Sequence, residues 1–104
     1  MIQKTNKRKT FTPLEATLLK LMSDSKMLEE LKSIINTLGI ELRLVSGELG
    51  NGLCKINGDN IFLLNRNLQT QNRIKVLSRA LSRIDLSMIY LLPAVRYRLK
   101  QERQ

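Results

Sequence analysis

The chain is patterned for an α+β fold: a small mixed sheet of three or four strands, with a hairpin near 53–64, packed against N-terminal, central and C-terminal helices. Three features carry that expectation. Leu53 to Ile56 and Ile61 to Leu64 flank Asn57-Gly58-Asp59-Asn60, and Asn-Gly between apolar runs marks a hairpin, because both residue types accept the positive φ of a primed turn. Ile40, Leu42 and Leu44 alternate with Glu41 and Arg43, the period of a strand with one buried face. Ile74, Leu77, Leu81 and Ile84 recur along one side of a helix, with Val76 and Ala80 beside them.

At 104 residues the sequence fits one domain, long enough to bury a core without disulfides or metals. An apolar fraction of 42% is a globular value, and an aromatic fraction of 4% with no Trp leaves Leu, Ile, Val and Met to fill that core. Residues 1–11 are polar and basic without a period and read as a flexible arm, so the domain is expected to span 12–104.

The elements follow in order. Thr12-Pro13-Leu14-Glu15 offers a capping box with proline at the first helical position, which predicts a helix running to Met22. Ser23-Asp24-Ser25 can stop that helix and cap another; a single helix bent near Ser23 is the alternative. The second helix carries Leu28, Leu31, Ile34, Ile35 and Leu38 at helical spacing until Gly39 provides a stop. The alternating strand follows, and the glycine-rich 46–52 stretch reads as a loop into the hairpin. After the central helix, placed at 70–84, Met88-Ile89-Tyr90-Leu91-Leu92 is rich in β-formers and predicts a buried strand. It lies after a strand and a helix, so it is expected to run parallel to the second arm of the hairpin. Pro93 then opens a last helix, with Leu92, Val95 and Leu99 inward and Arg96, Lys100 and Arg103 outward.

Most reactive chemistry is excluded by residue type. The sequence has no histidine and a single cysteine, Cys54, so an imidazole base, an intramolecular disulfide and a thiol metal cluster are all ruled out. Cys54 reads as a small buried apolar residue of a strand. Gly47, Gly50 and Gly52 lack the lysine and hydroxyl of a phosphate loop and lead into a strand, not a helix N-terminus. The acids show no close pair outside Glu29-Glu30 on a helix surface. The chain is therefore expected to be a non-enzyme with no cofactor and no metal.

The order of elements resembles the catalytic half of the small zinc-dependent peptidase domains that accompany phage-type repressors. Leu38-Gly39-Ile40, Gly52 and Ile61 to Asn65 carry that resemblance, and the metal-binding HExxH register would fall near Ser78-Arg79-Ala80-Leu81-Ser82. None of the metal-binding residue types is present there. The resemblance therefore implies a catalytically dead relative, because such a site needs two imidazoles one turn apart and a glutamate to activate the zinc-bound water. The segment 85–96 also resembles the end of small bacterial proteins, which implies no activity.

Charge is the remaining feature. Eighteen Lys and Arg against nine Asp and Glu give a net charge of +9, which favours an anionic partner. Lys75, Arg79 and Arg83 form one stripe on the central helix, and Arg96 and Lys100 another on the last. Like charges at this spacing each cost about 0.2–0.5 kcal/mol on an isolated helix. A solvated face on a basic protein is the bland explanation. The functional one is nonspecific binding of RNA or DNA phosphates by Lys75, Arg79, Arg83, Arg96 and Lys100. Tyr97 is the candidate for stacking on a base, whereas Tyr90 lies in an apolar run and reads as core. The rival expectation is a protein-interaction module, a homodimer or an adaptor for an acidic partner, using the edge of the small sheet or the apolar side of the first helix. A membrane partner is not expected, because the longest nearly apolar run, 88–95, is far below the roughly 20 residues a span needs. A cytoplasmic location follows from the unpaired cysteine and the lack of an apolar leader.

Overall fold

The structure is a computed structural model that describes residues 12–14, 17, 21–46 and 50–103. The basic arm lies outside the described residues, as does most of the helix expected at 12–22, of which Pro13, Leu14, Thr17 and Leu21 are helical. Ser23 is extended, with φ −69° and ψ 161°, so the chain does not continue through it as one bent helix. Its hydroxyl accepts the Lys26 amide at 3.1 Å and caps helix α1 (Asp24–Thr37). At the other end, the amide of Gly39 donates to the Asn36 carbonyl and that of Ile40 to the Ile35 carbonyl. This is the paired Schellman pattern, and it holds Gly39 at φ 78°, where a Cβ would be strained. Ile35 and Ile40, which the same turn brings together, are both buried.

Gly39 delivers the chain directly into strand β1 (Glu41–Val45), followed by β2 (Gly52–Ile56) and β3 (Asp59–Asn65). The strand order is β1-β3-β2, with β1 parallel and β2 antiparallel to β3. The hairpin turns on Asn57 and Gly58 alone, both at positive φ, so Asp59 and Asn60 belong to the strand instead of the loop. Paired residues share a face. Phe62 and Leu64, aligned with Leu42 and Leu44 of β1, face the helices and are almost wholly buried. Ile61, aligned with Glu41 and Cys54, takes the other face. Cys54 is only partly buried there, a correction to its expected place in the core.

Helix α2 (Thr70–Leu81) presents Ile74, Leu77 and Leu81 to the core, as its period predicts. It ends three residues earlier than expected, because the amides of Arg83 and Ile84 turn back to the Ala80 and Leu81 carbonyls in tighter turns. Helix α3 (Pro93–Arg103) buries Ala94, Val95 and Leu99 against it.

The strand expected at 88–92 does not form. In its place the chain makes two local turns, with the Ser87 amide on the Asp85 carboxylate at 3.0 Å and the Ile89 amide on the Leu86 carbonyl at 3.0 Å. The reason is topological: β3 already has β1 on one side and β2 on the other, so the parallel position beside it that a crossover strand would take is filled by β1. With that place taken, 88–92 has no strand beside it among the described residues, and the Ser87 and Ile89 amides are satisfied in local turns instead.

Two substitutions test this packing by chemical denaturation. Gly39→Ala should lose about 1–2 kcal/mol by forcing a Cβ into left-handed backbone. Ser78→Ala should gain roughly 1 kcal/mol, because the Ser78 hydroxyl is fully buried and has no hydrogen-bond partner among the described residues.

Candidate nucleic-acid interface

Lys75, Arg79, Arg96 and Lys100 lie on helices as expected, but Arg83 falls in the turn beyond the end of α2, and their surroundings differ. Lys75 is exposed midway along α2 and lines a hollow with Asp24, Gln71 and Arg98, where Gln71 also bonds Asp24 at 3.3 Å. Arg79 reaches Glu102 of α3 at 3.6 Å, and Arg98 reaches the same carboxylate at 3.6 Å. The Glu102 side chain is only 9% exposed, so it serves as a bridge between two helices and not as a surface acid. One of the three like charges of that stripe is thereby relieved from another helix, which its own sequence neighbours cannot do. Arg83, one turn on, has no ion-pair partner among the described residues.

Arg96 and Lys100 belong to a second group. With Arg103 they form the outer row of α3, facing the 85–91 segment across a groove of about 750 Å³. Arg103 is fixed by its Nε, which donates to the Ser82 carbonyl at 2.8 Å, so the C-terminal ends of α2 and α3 are tied together. Cations at these ends also oppose the partial negative charge of the helix termini, a stabilising role that operates with or without a ligand.

The opposite wall of the groove reverses an expectation. Tyr90, read as core, is 79% exposed, and Met88 is 95% exposed, while Tyr97 is partly buried. Losing the strand caused this exchange: with Leu86 buried as the anchor and Leu91 and Leu92 half-buried, the turns between them push Met88 and Tyr90 outward. Asp85 stands at the entrance of the groove. Its carboxyl is held below the usual carboxylate range by the Ser87 backbone hydrogen bond first, then by the Ser87 side chain and by the charge of Arg103. The groove thus combines three cations, one acid and an exposed phenol ring on a loop pinned by hydrogen bonds.

Arg73, also basic, has a different task. Its Nε and Nη2 donate to the carbonyls of Leu68 and Arg66 at 2.9 and 2.8 Å, closing the connection from β3 to α2. Sequence reasoning passed over Arg73 and Glu102, and it weighed Tyr90 but placed it in the core. The helical spacing of Arg98 and Glu102 was a visible cue to one ion pair, but nothing along the chain announced that Glu102 also meets Arg79.

Ser78 and Ser82, which fall on the histidine positions of the peptidase register, are both buried within the helix packing. Among the described residues no group of His, Cys, Asp and Glu is arranged to hold a metal. No family model, curated protein or solved structure matches the chain.

Glu102→Ala, measured by urea denaturation, should cost roughly 1–2 kcal/mol, since it removes the shared acceptor while the more exposed Arg79 can still recover water. Arg79→Ala should cost less than half as much.

Proposed function

We propose that the chain binds single-stranded RNA or DNA without sequence preference, through the groove between α3 and the 85–91 segment. The observation that carries this reading is Tyr90, exposed on the wall opposite Arg96, Lys100 and Arg103. A base has two faces that stack on an aromatic ring whatever its identity, and the phosphates beside it need cations at a short remove. Both requirements meet in this groove. Its irregular loop wall suits a flexible strand better than a rigid duplex.

The roles divide by position. Arg96 and Lys100 contact phosphates, Tyr90 stacks, and Arg103 supports the site while anchored to Ser82. Arg83 extends the positive field past the end of α2. Arg79 contributes less, because Glu102 already neutralises it in part, and Lys75 lies nearest the other end of its helix. Asp85 opposes the bound strand and weakens affinity. Counterion release dominates such binding, so affinity falls steeply with salt. A membrane-spanning role has no support among the described residues, where no helix is long and apolar enough to cross a bilayer.

The test is fluorescence anisotropy with labelled single-stranded oligonucleotides of several sequences across a salt series. Arg96→Glu with Lys100→Glu should abolish binding at moderate salt. Tyr90→Ala should weaken it by about 1–3 kcal/mol, with little change in salt slope. Asp85→Asn should strengthen it several-fold, and Lys75→Glu should have the smallest effect of the charge reversals. Absence of binding at low salt, or equal effects from Lys75→Glu and Arg96→Glu, rejects the site.

A further inference from the structure

A second surface lies away from this groove, at the free edge of β2. In the order β1-β3-β2, β2 pairs only with β3, and its other side has no strand beside it among the described residues. The two-residue turn fixes which main-chain groups point there. Ile56 and Asp59 flank the turn as a hydrogen-bonded pair, so alternate residues Cys54 and Gly52 also bond to β3, while the amides and carbonyls of Leu53 and Lys55 point outward. Both residues are exposed, Leu53 to 51%.

Next to that edge, on the helix side of the sheet, is a groove of about 440 Å³. Leu53, Val76, Ala80 and Ile84 give it an apolar lining, and Arg79 and Arg83 stand on its α2 wall. A strand added beside β2 would place every second side chain into this groove and leave the intervening ones on the opposite face. Both kinds of lining stand on that one face, since Lys55 lies on the same side of β2 as Leu53: among the groove-facing side chains, apolar ones would meet Leu53, Val76 and Ala80, and acidic ones would meet Arg83, Arg79 and Lys55.

We infer that this edge binds an extended segment of a partner protein whose groove-facing side chains, at every second residue, include both apolar and acidic ones, and that the segment adds to the sheet as a fourth strand. Charge complementarity selects the occupant. A second copy pairing through its own β2 would bring Leu53 and Lys55 on that face and no carboxylate, so it offers no partner to the cations Arg79 and Arg83. An acidic segment gains from those cations, and Arg83 has no other ion-pair partner among the described residues. The site is separate from the Tyr90 groove, so a strand of nucleic acid and a peptide can be bound together.

The test uses a short, end-capped synthetic peptide of the repeat Val-Thr-Glu-Thr, which puts valine and glutamate on one face, labelled for anisotropy, with the full chain. Two control peptides accompany it: one with the alternate amides that would face β2 methylated, and one with lysine in place of glutamate. The expected result is saturable binding of the first peptide and none of either control. Arg83→Glu and, separately, Leu53→Arg should each weaken binding by roughly tenfold or more, with circular dichroism confirming the native fold. The amides of Leu53 and Lys55 should become protected from hydrogen exchange on binding. Arg96→Glu with Lys100→Glu should leave peptide affinity unchanged, which separates this site from the proposed nucleic-acid groove. Equal binding of the methylated peptide, or loss of binding in the Arg96 and Lys100 variant, overturns the inference. So does a stable dimer in sedimentation whose formation is abolished by Leu53→Arg.

Discussion

Phe62 and Leu64 on β3 are the packing contact around which the molecule is arranged. β3 is the strand with a neighbour on each side, and these two side chains press almost wholly buried into the layer formed by α1, α2 and α3. A one-residue slip in the hairpin would rotate them to the far face and bring Ile61 and Leu63 inward. The Asn57-Gly58 turn prevents that slip by setting the β2 register, and the Schellman turn at Gly39 sets where β1 begins against the same strand. Turn chemistry at both ends therefore protects one hydrophobic register, whose burial supplies the larger share of the driving force.

That arrangement has consequences at the surface. Because β3 is filled on both sides, the 85–92 stretch has no place beside it, and its side chains divide between anchoring and exposure. Leu86 anchors, and Met88 and Tyr90 are exposed next to the outer row of α3. The same closure leaves β2 as an edge with its lateral main-chain groups unpaired by any described strand. Charge does not set these positions; it decorates them. The packing of α2 on α3 gathers Arg79, Arg98 and Glu102 into a partly buried cluster and leaves Arg83, Arg96 and Lys100 facing outward.

Much of the fold was legible along the chain. The hairpin, β1, α1 and its two caps, and the buried face of α2 each rest on signals contained within a few consecutive residues. The failures share one cause. A run such as 88–92 has the composition of a strand, but whether it becomes one depends on an edge supplied by residues distant in sequence. Tyr90 was assigned to the core for the same reason, since its exposure followed from that missing pairing, while Tyr97 on α3 is partly buried. The stripe of Arg79 with its neighbours looked unrelieved because helical spacing shows only contacts one turn away, and Glu102 arrives from another helix.

Sequence alone determined the local geometry, the aliphatic core and the chemistry the chain lacks, because turns, caps and periodicity are properties of neighbouring residues and an absent histidine is absent from every fold. Tertiary structure decided the order of the strands, the neutralisation of one cation and the exposure of others, and the company that Tyr90 keeps. These depend on which surfaces meet across long loops, and that is set by the competition of all segments for one core and for the available strand edges.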